Sequence, residues 1–198
     1  MNDSRLFRFA GWCAYISAAM TVLGVVTLMV FFALIPQYGV SNVWGPINDS
    51  TSVIGALAGI VVLYALHRLH RRSVPNVSLA AVVVGVVALL VAAVMQSLLI
   101  LRVITFADTA VAVPAAFAVF GAVLVVYGLL ARRAGDWSNR QVWFGIVAGA
   151  GYVLTIVGFL VGGMNSPVTY VGGLLTVIFY TIWVIGFGRT LRRQAGRH

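Results

Sequence analysis

SLAAVVVGVVALLVAAVMQSLLILRVITF, residues 78–106, is one long apolar run with Gln96 inside it and Arg102 near its far end. About 20 apolar residues cross a hydrocarbon core, so a stretch of this length and composition reads as a membrane-spanning helix. The rest of the chain has the same character. Of its 198 residues, 62% are hydrophobic and 9% charged, with a mean hydropathy of +1.04. A soluble domain carries roughly a quarter charged residues. Six helices of about 22 residues would use most of the chain, leaving short connections and no room for a separate soluble domain.

The apolar runs and their punctuation predict an all-α polytopic membrane protein. Its six transmembrane helices form a compact bundle over approximately residues 9–35, 48–67, 78–102, 110–131, 142–163 and 168–188. The first run is too long for a signal-peptide core and is followed by no small-residue cleavage site, so it reads as an uncleaved span closed by Pro36. Residues Gln37–Ser50 (QYGVSNVWGPINDS) read as a loop rich in turn formers. Its tail, Asn48 to Ser52, offers several N-caps for the second span, which is expected to begin near Ile47. Pro114 falls in the opening turn of the fourth span and Pro167 at the first position of the sixth, with Ser166 as its cap.

The charges fix an expected orientation. There are thirteen Arg and no Lys, four Asp and no Glu. Counted on alternate connections, twelve Arg fall on one side: Arg5, Arg8, Arg68, Arg71, Arg72, Arg132, Arg133, Arg140, Arg189, Arg192, Arg193 and Arg197. The other side receives Arg102 alone. The positive-inside rule then places both termini in the cytoplasm, and five or seven spans would break the alternation. Arg-only basicity with abundant Ala, Val and Gly suits the cytoplasmic membrane of a prokaryote with a GC-rich genome. The sequence pI near 10.9 is therefore a topology signal, with no nucleic-acid partner expected. The Arg clusters are expected to meet anionic lipid head groups. Even the regular spacing of Arg71-Arg72, Arg132-Arg133 and Arg192-Arg193 follows from equal spans under this rule and requires no internal repeat.

Several chemistries are disfavoured by the residue inventory. Without Lys there is no Schiff base, and without Glu the commonest carboxylate of proton relays and di-metal bundles is missing. Cys13 stands alone in the first apolar run and reads as a small buried hydrophobe. His67 and His70 lie three apart among Arg residues, which suits interfacial histidines better than a metal site, and no span interior offers His for haem. No phosphate-binding loop, nucleophilic triad or pair of intramembrane carboxylates is present. No cofactor and no metal are expected. Trp12, Trp44, Trp137, Trp143 and Tyr170 lie where an interfacial aromatic belt would place them.

Small residues one turn apart, at Gly55-x-x-x-Gly59, Gly145-x-x-x-Gly149 and Gly158-x-x-x-Gly162, mark faces where backbones approach closely. These faces would meet another helix of the same chain, or else a partner protein or second protomer.

The polar constellation that could form a ligand site lies on the Arg-poor side: Trp44, Asn48, Asp49, Gln96, Arg102, Asp108 and Asn165. At about 1.5 Å per residue, Arg102 sits roughly 36 Å along from Ser78, near the boundary of the core, and Gln96 about 9 Å deeper. An ionised Arg at that depth finds a partner or snorkels outward, and Asp49 and Asp108 are the carboxylates on its side. Two readings stand. In one, Arg102 oriented by Asp49 or Asp108 holds an anionic or strongly polar head group while the bundle takes an apolar tail. In the plainer one, the ions pair at helix ends, Asp49 capping the second helix and Asp108 starting the fourth. The resulting expectation is a non-enzymatic membrane protein, a subunit of a complex or a binder of lipid or an apolar small molecule. The alternatives are a small-solute transporter or channel, and a lipid-modifying enzyme.

Overall fold

Long apolar runs leave the backbone one way to satisfy its polar groups in lipid, which is the helix. The computed structural model describes residues 3–39, 42–135, 137–163 and 166–196. It is 89% helical, with no strand among the described residues. Six helical segments there are long and apolar enough to cross a membrane. They are α1 (Asp3–Tyr38), α2 (Trp44–His70), α3 (Pro75–Ile100), the short α4 (Phe106–Thr109) leading into α5 (Ala112–Ala134), α6 (Asn139–Gly162), and a composite last span. That span joins α7 (Pro167–Leu175) to α8 (Thr181–Ala195) through a π turn at Thr176–Tyr180. The chain is a multi-pass helical membrane protein.

Several helix ends differ from expectation, each for a local reason. Helix α1 runs through Pro36 to Tyr38, because a proline near a helix end forfeits little further bonding. Most of the expected loop after it is helix, since α2 begins at Trp44, and Pro46 fits in its first turn where an amide hydrogen would be unpaired anyway. Asn42 holds this entry. Its amide donates to the Gly39 carbonyl at 2.9 Å, and its side-chain oxygen accepts from the Trp44 amide at 3.2 Å. Helix α6 starts early at Asn139, where the Ser138 hydroxyl accepts from the Gln141 amide at 3.3 Å. Pro167 does open the last span, but Ser166 makes no side-chain cap bond there.

Helix α3 stops at Ile100, and Arg102 falls beyond the span in a left-handed conformation with φ 57°. The Val103 amide reaches back to the Leu98 carbonyl at 2.9 Å and the Arg102 amide to Leu99 at 3.0 Å. This is a Schellman stop with arginine where glycine is usual. No glycine marks the spot, which is why the sequence pattern runs the helix on to 102.

The helices form a ring in chain order, each packed on its neighbours in sequence, with α8 closing against α1. One end of the ring carries every described Arg except Arg102. The Arg-rich half of the interior is packed with large side chains: Leu63, Leu66, Tyr127, Trp183 and Phe187 are each at most 1% exposed. The Trp183 and Phe187 rings stack at 5.6 Å, and Tyr180 sits edge-on to Phe120 at 5.9 Å. The Tyr180 and Ser17 hydroxyls share a hydrogen bond of 2.7 Å between the π turn and α1.

The glycine faces are taken up inside the chain. A side chain on Gly145 would meet the Trp183 indole, one on Gly149 the Gly121 carbonyl, and one on Gly158 the backbone of Thr169. Gly151 and Gly172 face each other between α6 and α7. Close backbone approach of this kind lets dispersion hold helices together where lipid offers no hydrophobic drive.

Candidate functional site

Buried polar groups in a membrane protein are costly and mark where chemistry is to be sought. Eleven polar residues are buried among those described, and their distribution is lopsided. Ser17 sits near mid-height, and His70 and Ser78 lie at the Arg-rich end. The other eight occupy the Arg-poor half: Asn42 and Ser166 in connections, and Thr27, Asp49, Thr51, Gln96, Thr109 and Thr176 on five of the six spans.

The helix register brings several of these to one level. A side chain on Gly59 would meet Leu89, and one on Gly85 would meet Leu63, so antiparallel α2 and α3 place Gln96 opposite Ser52. Asp49 lies about one turn further toward the Arg-poor end. On the other flank of α2, Gly24 of α1 faces the Thr51 hydroxyl and the Asn48 side chain, which brings Thr27 to the same height. Gly85 also packs on Val123 of α5, and that register carries Thr109, just before α5, to the level of Asp49.

Asp49 is 8% exposed and belongs to the body of α2, so it is not the cap of that helix. Gln96 is 7% exposed, and its side-chain oxygen has no hydrogen-bond partner. Three of the threonine hydroxyls are already committed as donors, while that of Thr176 is buried without a partner. Thr27 donates to the Leu23 and Gly24 carbonyls, Thr51 to Asn48 at 2.7 Å and Thr109 to Phe106 at 2.9 Å. What they offer to the interior is lone pairs.

The expected ion pairing of Arg102 does not form. Arg102 is exposed beyond the helix stop and makes no ion pair among the described residues. Asp108 is exposed as well. Its carboxylate accepts from the Thr105 amide at 2.8 Å and the Thr105 hydroxyl at 2.7 Å, a capping box that starts α4. The described ion pair is instead Arg68 with Asp3, tying the start of α1 to the end of α2. Trp44 and Asn48 are half-buried on the first turns of α2. Asn165 lies outside the described residues, as do Asp136 and Arg197. Of the sequence candidates, Asn48, Asp49 and Gln96 thus lie within about one helical turn of each other in height, while Arg102 and Asp108 are exposed.

Sequence reasoning misplaced His70. The residue is 1% exposed, packed against the Tyr127 ring at 5.8 Å and the Trp137 ring at 5.6 Å. Its Nδ1 donates to the Leu66 carbonyl at 3.0 Å, leaving Nε2 buried without a partner. Beside it, His67 Nδ1 meets the Ser78 hydroxyl at 3.0 Å, and the Tyr127 hydroxyl donates to the Ser78 carbonyl at 3.0 Å. The signal was there: Gly59, Leu63, Leu66 and His70 recur at helical spacing, so His70 extends the buried stripe of α2.

A groove of about 710 Å³ opens to the flank where α8 closes on α1. Ala18, Ala19, Val22 and Ile185 line its length, and Tyr15 and Arg189 stand toward its Arg-rich end. Nearby, Arg192 lies over the Trp12 ring at 4.5 Å, and Arg132 over Trp143 at 5.6 Å. Among the described residues no group of three or more His, Cys, Asp or Glu side chains is gathered to hold a metal ion. Comparison with family models, curated proteins and solved structures gave no match.

Proposed function

We propose that this chain is a non-enzymatic membrane protein of a prokaryotic cytoplasmic membrane that holds an amphiphilic molecule, a lipid or an apolar small molecule with a polar head. The site is the Arg-poor end of the ring, facing out of the cell. One observation carries the proposal: Gln96 is buried with its carbonyl oxygen unbonded, about one turn in height from Asp49 on the facing helix, a buried carboxylate that Asn48 hydrogen-bonds and no described cation pairs. A buried acceptor left open costs about 1–3 kcal/mol, and a ligand that donates to it recovers that energy. The Arg-rich half, filled by Tyr127, Trp183 and Phe187, serves as the floor. The indole-stacked Arg132 and Arg192 lie where they would meet anionic lipid head groups, with Arg189 at the mouth of the flank groove.

The direct test is native mass spectrometry of the full chain extracted in mild detergent. Wild-type protein is expected to retain a bound small molecule that Gln96→Leu loses. Retention of the same species by both would refute the site.

A small-solute transporter is the second reading, favoured by the π turn at Thr176–Tyr180 in the last span. Such turns recur at functional sites and offer a place to bend. Solute counterflow in proteoliposomes, abolished by tightening that turn with a deletion of Thr176, would support transport over binding.

A further inference from the structure

The sequence points to Arg102 as the ligand's partner and hence to an anionic head group, but the folded chain reverses the sign of the buried charge. Asp49 is enclosed, whereas Arg102 stands outside the last turn of α3 and Asp108 is occupied by Thr105. No described cation pairs with Asp49. Around that level, Thr27, Thr51 and Thr109 have already given their hydroxyl hydrogens to helix carbonyls, and Gln96 presents an oxygen with no partner. The amides of Asn48 and Gln96 supply the neutral donors. The buried groups at this level are therefore one carboxylate, hydrogen-bonded by Asn48, amid a majority of hydrogen-bond acceptors, with the Thr176 hydroxyl unbonded in the same half and no described cation paired with the carboxylate.

A carboxylate in low dielectric interacts strongly with a cation and is costly when left alone. We propose that the Arg-poor end of the bundle selects an amphiphile with a primary ammonium head, its N–H groups shared between the Asp49 carboxylate and the Gln96 oxygen, and its apolar part among the helices. The proposal rests on the amphiphile-binding function put forward above and adds the sign and donor character of the head. Three N–H donors on one cation match an acceptor-rich lining better than a carboxylate, a phosphate or a hydroxyl does. A single carboxylate with amide and hydroxyl neighbours also lacks the ligand number that a divalent metal ion requires.

The test uses purified full-length protein in a neutral detergent, with probes of matched chain length: dodecylamine, dodecanol and dodecanoate, together with lysophosphatidylethanolamine. Binding is read as the shift in thermal unfolding midpoint with probe concentration. Wild-type protein is expected to bind dodecylamine or lysophosphatidylethanolamine at least tenfold more tightly than dodecanol or dodecanoate. Response to the first points to a free long-chain amine as the natural source, and response to the second alone to an aminophospholipid. Asp49→Asn is expected to lose the preference and Asp49→Glu to keep it, so a folding defect in the former does not decide the outcome. Equal binding of dodecylamine and dodecanol, or no difference between wild-type protein and a folded Asp49→Asn, overturns the ammonium proposal while leaving amphiphile binding standing. No shift with any probe overturns both.

Discussion

Replacing Gly121 with alanine tests how tightly α5 and α6 are held together. A Cβ at this position would lie 2.6 Å from the Gly149 carbonyl oxygen and 2.5 Å from the Tyr152 Cβ, whereas ordinary contact begins at 3.4 Å. The carbonyl is backbone and cannot rotate away, so the two helices must part by about 0.8 Å, the difference between ordinary contact and the 2.6 Å available. Overpacking of this kind costs about 1–3 kcal/mol. Taking about 2 kcal/mol, the unfolding midpoint should fall by roughly 4–8 °C. Cys13, a free and buried cysteine, gives a direct assay, since a fluorogenic thiol reagent reports its exposure as detergent-solubilised protein is heated. Gly173→Ala is the control, because a methyl group there meets nothing within 4 Å. It should be neutral or stabilising by about 0.5–1 kcal/mol. If Gly121→Ala melts with the wild type, or if the control falls equally far, the close crossing of α5 and α6 is not what holds this side of the ring.

Three other outcomes follow from the same contacts. Arg102→Gly should raise stability by about 1 kcal/mol, since glycine removes the left-handed strain, and should leave ligand retention intact; loss of ligand would restore Arg102 to the site. A double-mutant cycle of Ser17→Ala and Tyr180→Phe should give a coupling near 0.6 kcal/mol and no more than about 1.7, as for other interhelical hydrogen bonds in membranes, measured in the same thermal assay. Trp183→Ala, which empties the centre of the aromatic floor, should cost about 3–5 kcal/mol in that assay, and a smaller loss would mean that the Arg-rich half is loosely filled.

The spans were legible because lipid forces a single answer: apolar length sets their number, and the Arg alternation gathers their basic ends at one end of the ring. Their boundaries were less so. Pro36 and Pro46 look like breakers on paper but sit near helix ends, where the missing amide hydrogen matters little, and the Arg102 stop uses a conformation that the pattern associates with glycine. The π turn at Thr176–Tyr180 has no proline or other signature in the residues that form it. Of the candidate site, Asn48, Asp49 and Gln96 were readable as polar residues in or beside apolar runs. Their partners were not, because pairing depends on register: Thr105, three residues from Asp108, captures that carboxylate before Arg102 can. The threonines at positions 27, 51 and 109 were passed over because threonine is common in apolar spans. Their concentration in one half of the ring emerges only when the helices are aligned.

The most direct measurement concerns whether the interior beside Asp49 and Gln96 opens to water on the Arg-poor side and carries a negative potential. In a Cys13→Ala background, a cysteine at Ser52, opposite Gln96, would be treated in sealed, outward-facing vesicles with membrane-impermeant thiol reagents matched in size, one cationic and one anionic. The cysteine should react, the cationic reagent should be several-fold faster than the anionic one, and Asp49→Asn should erase the difference. A cysteine at Ser52 that stays inert until the protein unfolds, or that prefers the anionic reagent, would contradict a polar, negatively charged and outward-opening site.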